Sequence, residues 1–235
     1  MLPVAVLAGG LATRLLPLTS EIPKSMVRIN GAPFVHWQMK MMFEQGVQHL
    51  VFCLGHKSEM IRDFIGDGSQ YGINVEYSYD GERQLGTGGA IRNSLPLLGE
   101  KFMVLYGDSY LPIKFKSVED AFLEAKEPAL MTVFRNEGKL HSSNVDFSEG
   151  LVNRYAKDKN SKELKYLDYG LSCYESAIFI PYHDQAPLDL GDVCTQLATQ
   201  KLLAGYQIEE RFYEIGSVEG IKDFTEYIEK RENVL

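Results

Sequence analysis

An α/β fold, with a mixed and mostly parallel sheet flanked by helices and a small antiparallel β insert, is the architecture the sequence predicts. Apolar strand-like runs alternate with amphipathic helical stretches through the first half of the chain, the pattern of a parallel sheet covered on both faces. After Asp108 the pattern changes to a succession of short strands. Helical periodicity then returns toward the end of the sequence.

The run Pro3-Val4-Ala5-Val6-Leu7 reads as a buried strand that breaks into a glycine loop. From Pro33 to Gln45, Phe34, Trp37, Met41 and Met42 share one helical face, with Pro33 near the start. A second strand is expected at His49–Leu54. A helix over Ser58–Ile65 follows, with Ser58 as its N-cap and Met60, Ile61 and Phe64 apolar. Gly72–Tyr79 alternates as a half-buried strand does. A helix opens at Thr87 or Gly88 and runs to about Leu97, and Phe102–Tyr106 is again a buried strand. Val118–Ala125 is helical. Strands are then expected at Ala129–Phe134, Asn144–Phe147, Leu151–Tyr155 and Leu171–Ile180, and helices at Asp192–Leu203 and Val218–Glu229.

The bulk numbers set limits. A chain of 235 residues, 45% hydrophobic and 24% charged, suits one globular domain with a full core, 1–235. No apolar run approaches the roughly 20 residues that span a bilayer, and the N-terminus enters its first strand without a signal-like core. Cys53, Cys173 and Cys194 show neither metal spacing nor a disulfide pattern, so a cytoplasmic setting is expected. The net charge of −8 argues against a nucleic-acid partner. Residues 1–30 nevertheless hold Arg14, Lys24 and Arg28 against the single acid Glu21, which fits a small anionic ligand held in a pocket.

Four stretches carry the chemistry. Leu7-Ala8-Gly9-Gly10-Leu11-Ala12-Thr13-Arg14 offers paired glycines for close backbone approach to an anion and a cation to neutralise it. Pro23-Lys24 places a second cation in an apolar context (Ile22, Met26, Val27). This is neither a P-loop nor G-x-G-x-x-G: Leu11 and Arg14, or Ala12 and Leu15, stand where a dinucleotide fold wants glycine, which sets hydride transfer aside. Leu85-Gly86-Thr87-Gly88-Gly89-Ala90 reads either as a tight packing turn or as a bare surface for a base and ribose. Tyr106-Gly107-Asp108-Ser109 puts an acid at the carboxyl end of a strand, where ligands of open α/β sheets bind. Beside a triphosphate, Asp108 is a sensible Mg²⁺ ligand, and Glu214, in Phe212-Tyr213-Glu214-Ile215-Gly216, is the best candidate for a second.

Together these stretches resemble the sugar-1-phosphate nucleotidyltransferase family. The likeness covers Leu7 to Thr19, Ile22-Pro23-Lys24-Ser25-Met26, Leu85 to Ala90 and Gly107-Asp108, and extends over essentially the whole chain. It is nearest the short branch that includes heptose-1-phosphate guanylyltransferases and N-acetylmuramate-1-phosphate uridylyltransferases. The resemblance implies a Rossmann-like nucleotidyltransferase fold, with a nucleotide-binding half (1–110) and a sugar-phosphate half (111–235). The sequence departs from the family pattern at Ala12 (usually Gly), at Glu214 (often Asp), at Ala156-Lys157 (usually Glu-Lys) and at Asp168-Tyr169-Gly170 (usually Asn-x-Gly).

The activity so implied joins a nucleoside triphosphate and a sugar 1-phosphate to give a nucleotide sugar and pyrophosphate. Arg14 would hold the triphosphate, Lys24 the acceptor phosphate, and Asp108 with Glu214 the Mg²⁺. Leu7, Ala8, Gly9, Gly10, Thr13, Gly86, Thr87, Gly88 and Gly89 would cradle the nucleotide. Base readout falls in Asp80–Gln84, where Glu82 suits guanine and Gln84 a pyrimidine; subfamily likeness favours guanylyl over uridylyl transfer. Asn144, Lys157, Asp168 and Gly170 would face the sugar, while Tyr169 and Tyr174 would either stack on it or fill the core. The altered acceptor positions keep a cytidylyltransferase acting on phosphocholine as the alternative. A homo-oligomer stays open, and no membrane partner is expected.

Overall fold

The structure, a computed structural model, describes residues 1–10, 15, 18–55, 58–81, 83–136, 143–156, 164–183 and 187–232. The chain begins with β1 (Val4–Leu7), the short hairpin β2 (Arg28–Ile29) and β3 (Ala32–Pro33), and helix α1 (Phe34–Glu44). It continues through β4 (His49–Leu54), α2 (Ser58–Ile65), β5 (Asn74–Tyr79), α3 (Thr87–Leu98), β6 (Lys101–Tyr106) and β7 (Ser109–Tyr110). Helix α4 (Phe115–Glu124) leads to β8 (Ala129–Arg135), β9 (Val145–Ser148), β10 (Leu151–Tyr155) and β11 (Tyr166–Glu175). Helix α5 (Leu190–Thr199), β12 (Leu203–Ile208), β13 (Tyr213–Glu214) and α6 (Val218–Glu232) complete the described elements.

One nine-stranded sheet runs through the molecule in the order β5-β4-β1-β6-β11-β8-β12-β10-β9. Strands β5, β4, β1 and β6 are mutually parallel, as the alternating pattern predicted. The antiparallel strands extend this sheet instead of standing beside it. β11 pairs antiparallel with β6 on one side and β8 on the other, with a break in register between Asp168 and Ser172, and β9 closes back onto β11 through Tyr166 and Val145.

Alternation along each strand feeds two cores. Val4, Val6, Phe52 and Leu105 point to the face covered by α1, α2, α4 and α6, with Phe34, Ile61, Phe122 and Phe224 packed among them. Ala5, Val51, Cys53 and Val104 point the other way, toward α3 and α5 through Ile91, Val193 and Leu197. Apolar side chains at period two on a strand and at three or four on a helix can only be buried together in this layered way. Tyr169 and Tyr174 are fully buried, so the core reading holds for both.

Two elements differ most from the sequence reading. The helix expected over Asp192–Leu203 starts at Leu190, where the Asp189 side chain caps Gly191 N at 2.7 Å, and ends at Thr199. Lys201 then takes a left-handed φ of 58°, and Leu203–Ile208 becomes a strand parallel to β8. Leu202 and Leu203 continue the helical apolar spacing, which hides that break. The strand expected over Leu171–Ile180 lies instead at Tyr166–Glu175. The chain then turns, with Ser176 N donating to Glu100 O, into a 3-10 segment Ser176–Tyr182 that contains Pro181 and buries Phe179. Among the described residues no helix is long and apolar enough to cross a membrane.

Candidate active site

Strand order reverses at β1: β4 and β5 follow on one side and β6 on the other, which opens a crevice at the carboxyl ends of β1 and β6. A cavity of about 470 Å³ occupies that place. Leu7, Ala8, Gly9 and Gly10 line it from β1, and Tyr106, Gly107 and Asp108 from β6. The two strand ends meet backbone to backbone: a Cβ on Gly107 would fall 2.6 Å from Leu7 O and 2.9 Å from the Cα of Ala8. Only glycine permits that approach, and it sets Asp108 beside the first loop.

Lys24 enters from a short 3-10 turn, Lys24–Met26, which follows Pro23 and packs against α1 and α2. Its Nζ lies 2.6 Å from Asp108 Oδ2, with both side chains partly buried. Two residues 84 positions apart are thus joined at the cavity wall. Glu214 reaches the same region through the β7–β13 ladder, where it pairs with Ser109, while Ile215 N donates to Asp108 O at 3.0 Å. A Cβ built on Gly216 would lie 3.6 Å from Lys24 Nζ and 4.0 Å from Asp108 Oδ2, so the 214–216 segment passes directly over the ion pair.

Gln84, Gly86 and Thr87 line the opposite wall. Gly88 and Gly89 do not. Both are buried against the segment before α5: Gly88 lies on Leu188, and Gly89 N donates to Leu188 O at 3.1 Å. Gly86, at φ 77°, would bring a Cβ within 2.4 Å of Leu188 O. For Gly88 and Gly89 the packing reading of this cluster therefore holds, and they support the nucleotide wall from behind. Asp80 lines the cavity too, and accepts from Leu85 N at 3.4 Å. Burial raises its pKa, partly opposed by that hydrogen bond. Sequence reasoning had it only as the first residue of a readout segment; its place just past the carboxyl end of β5 is the signal for it. Cys53 also borders the cavity, but burial pushes its thiol up to about 11, so it stays protonated at neutral pH.

The acceptor-side residues gather on β11 and its neighbours. Asn144 Oδ1 accepts from Asp168 N at 3.0 Å, and Asp168 Oδ1 accepts from Gly170 N at 3.0 Å. Tyr106, a lining residue, directs its hydroxyl at Asp168 Oδ2 at 3.5 Å, and the Tyr155 hydroxyl also bonds to this carboxylate. Burial raises the Asp168 pKa to about 6, with these three donors opposing the shift. Asn144, Asp168 and Gly170 thus form one cluster, joined to the cavity through Tyr106. Arg14, Thr13, Glu82 and Lys157 lie outside the described residues.

A crevice at a strand-order reversal, walled by glycine loops and carrying a lysine–aspartate pair, agrees with the comparisons. Residues 4–231 match the nucleotidyl transferase family. The chain belongs to that family. It is 32% identical over 144 residues to N-acetylmuramate alpha-1-phosphate uridylyltransferase of Neisseria meningitidis, covering 61% of this chain and 62% of that one. It is 34% identical over 114 residues to D-glycero-alpha-D-manno-heptose 1-phosphate guanylyltransferase of Campylobacter jejuni, covering 48% and 51%. The matched segments thus span only about half to three-fifths of these relatives. A crystal structure of HddC from Yersinia pseudotuberculosis complexed with GMP-PN superposes with a TM-score of 0.82 at 25% identity, over 97% of this chain and all of that one.

Proposed function

We propose that this chain transfers a nucleotidyl group from a nucleoside triphosphate to a sugar 1-phosphate. The observation that carries the reading is the Lys24–Asp108 pair, set at 2.6 Å in the wall of the cavity at the strand-order reversal. An acceptor phosphate oxygen attacks the α-phosphorus in line. The bond to the bridging oxygen of the β-phosphate breaks, and pyrophosphate leaves with the bonding pair. Positioning and charge stabilisation supply nearly all of the catalysis in such a step. Lys24 is the cation that meets the incoming phosphate, and the family resemblance assigns Arg14 to the triphosphate. The nucleotide lies in the 1–110 half, between the Leu7–Gly10 loop and the Gly86-Thr87 wall. The acceptor lies in the 111–235 half, beside Asn144, Asp168 and Gly170, with Lys157 assigned to it by the family resemblance.

Asp108 and Glu214 are suited to hold Mg²⁺. They are hard carboxylate donors brought close by the β7–β13 ladder, where Glu214 pairs with Ser109, the residue after Asp108; Mg²⁺ takes one or two carboxylates and completes its shell with phosphate and water. When bound, Mg²⁺ supplies charge neutralisation at the α-phosphate.

Guanine is the preferred base, supported by the heptose guanylyltransferase likeness and the HddC complex; uracil stands second on the Neisseria relative. Asp168 in the acceptor cluster favours one further reading, a cationic acceptor such as phosphocholine used with cytidine triphosphate. A cytoplasmic enzyme of nucleotide-sugar supply for cell-surface polysaccharide is the setting that follows. Pyrophosphate release, measured for four nucleoside triphosphates with Mg²⁺ against a panel of sugar 1-phosphates and phosphocholine, tests the assignment. Release with guanosine triphosphate and a sugar 1-phosphate is expected; release only with phosphocholine would replace the acceptor, and no release with any pair would overturn the activity.

A further inference from the structure

We infer that Gln38 is a positioning residue for nucleotidyl transfer, tying the turn that presents Asp108 to helix α1. Gln38 is fully buried on α1, outside the four sequence stretches that carry the site. Its Nε2 donates to Tyr106 O at 3.3 Å and to Ser109 O at 2.8 Å. Both partners are carbonyl oxygens, so only the NH₂ end of the carboxamide can face them, one proton to each. The orientation of the amide is therefore fixed by its partners. Oε1 has no partner among the described residues. Burying a carboxamide with its oxygen unpaired is costly, and the clamp on two backbone carbonyls is what offsets that cost.

The clamp sits where every part of the site meets. Between its two anchor points lie Gly107 and Asp108. Asp108 meets Lys24, the Tyr106 hydroxyl meets the Asp168 carboxylate, and Ser109 pairs with Glu214. One amide thus fixes the short strip that joins the nucleotide, cation and acceptor sides. Lower on the same stripe of α1, Met41 Sδ accepts from Leu111 N and Gln45 Oε1 from Phe115 N, each at 3.2 Å. Gln45 also ties α1 to the backbone of this segment, as an acceptor instead of a donor, at a point seven residues beyond Asp108. It is the internal control.

This inference rests on the nucleotidyl-transfer reading, so the test carries two readouts. Gln38→Met and Gln45→Met are compared with the natural chain by steady-state kinetics and by Mn²⁺ binding followed by electron paramagnetic resonance. Gln38→Met should lower kcat roughly tenfold to a hundredfold, the loss expected when a catalytic group is misplaced by about an ångström. The nucleotide KM should stay within about threefold, the pattern of an interaction needed in the transition state rather than in binding. Mn²⁺ affinity should fall with it, while Gln45→Met lowers thermal stability and leaves kcat and Mn²⁺ binding unchanged. If Gln38→Met does not fold, Gln38→Glu, which keeps the shape and offers at most one donor, is read the same way. Equal kinetics for the two variants, or a Gln38 variant that loses only melting temperature, overturns the inference. If the natural chain transfers nothing, the functional reading fails by itself, and unchanged Mn²⁺ affinity in Gln38→Met would separately overturn the role given to Gln38.

Discussion

Lys24 and Asp108 face each other with partly buried charges, and neither has the solvent needed to serve as an ordinary surface ion. Truncating Lys24 leaves the carboxylate without its cation and removes the group proposed to receive the acceptor phosphate. Lys24→Ala is expected to cost about 2.7–4 kcal/mol of transition-state stabilisation, by analogy with oxyanion donors; turnover should fall about a hundredfold or more in a chain whose circular dichroism is unchanged. Asp168 makes a different prediction. A carboxyl whose pKa rises to about 6 on folding binds its proton more tightly in the folded state, so its contribution to stability is full below the unfolded value near 4 and is lost as pH climbs through about 6. Asp168→Asn should remove that dependence. Melting temperatures measured from pH 4 to pH 8 should show the natural chain losing ground to the variant as pH rises, by about 3 kcal/mol as an upper bound. A constant difference across that range contradicts the assignment. Lys24 and Asp108 were legible in the sequence because each stands beside an apolar run and a turn. Tyr106 and Gln38 were not, since their partners are set by which strands and helices become neighbours.

At the scale of elements, the sequence reading of β4, α2 and β10 matches the observed bounds, because each is a short apolar or amphipathic run with polar or glycine residues on either side. The end of α5 and the strand β12 were missed because the break between them lies at Lys201, a residue that seldom adopts a left-handed φ. The start of α3 shows how one glycine cluster serves two purposes. Gly86 and Thr87 line the cavity, whereas Gly88 and Gly89 let Leu188 close against the helix. A Cβ at Gly88 would fall 2.9 Å from the Leu188 side chain and 3.2 Å from Leu190 N. Gly88→Ala should therefore destabilise the fold by about 1–3 kcal/mol through overpacking, read as a drop in denaturation midpoint. Replacing Leu188 with alanine in the same chain should recover part of the loss. Independent, additive effects of the two substitutions would show that the contact does not matter.

For the molecule as a whole, β11 is the strand that joins the parallel strands to the rest of the sheet, since it pairs with β6 on one side and β8 on the other. The alternation of the first half revealed its parallel strands. The insertion of an antiparallel strand at the centre of the sheet could not be read, because the register of β11 depends on two partners at once. A sheet shared in this way predicts cooperative unfolding: Trp37 fluorescence, which reports on α1, and far-ultraviolet circular dichroism should give coincident denaturation curves. Separated transitions would mean that the two sides of β11 unfold independently.

The central claim, that Lys24 and Asp108 serve one reaction centre, is tested most directly by a double-mutant cycle on the rate of pyrophosphate release with guanosine triphosphate and the acceptor found in the substrate screen. Lys24→Ala and Asp108→Asn should each lower kcat/KM steeply, and the double variant should be little worse than the poorer single one, as for residues that act as a unit. Losses that multiply in the double variant would show that the two side chains do not work at one reaction centre and would contradict the account.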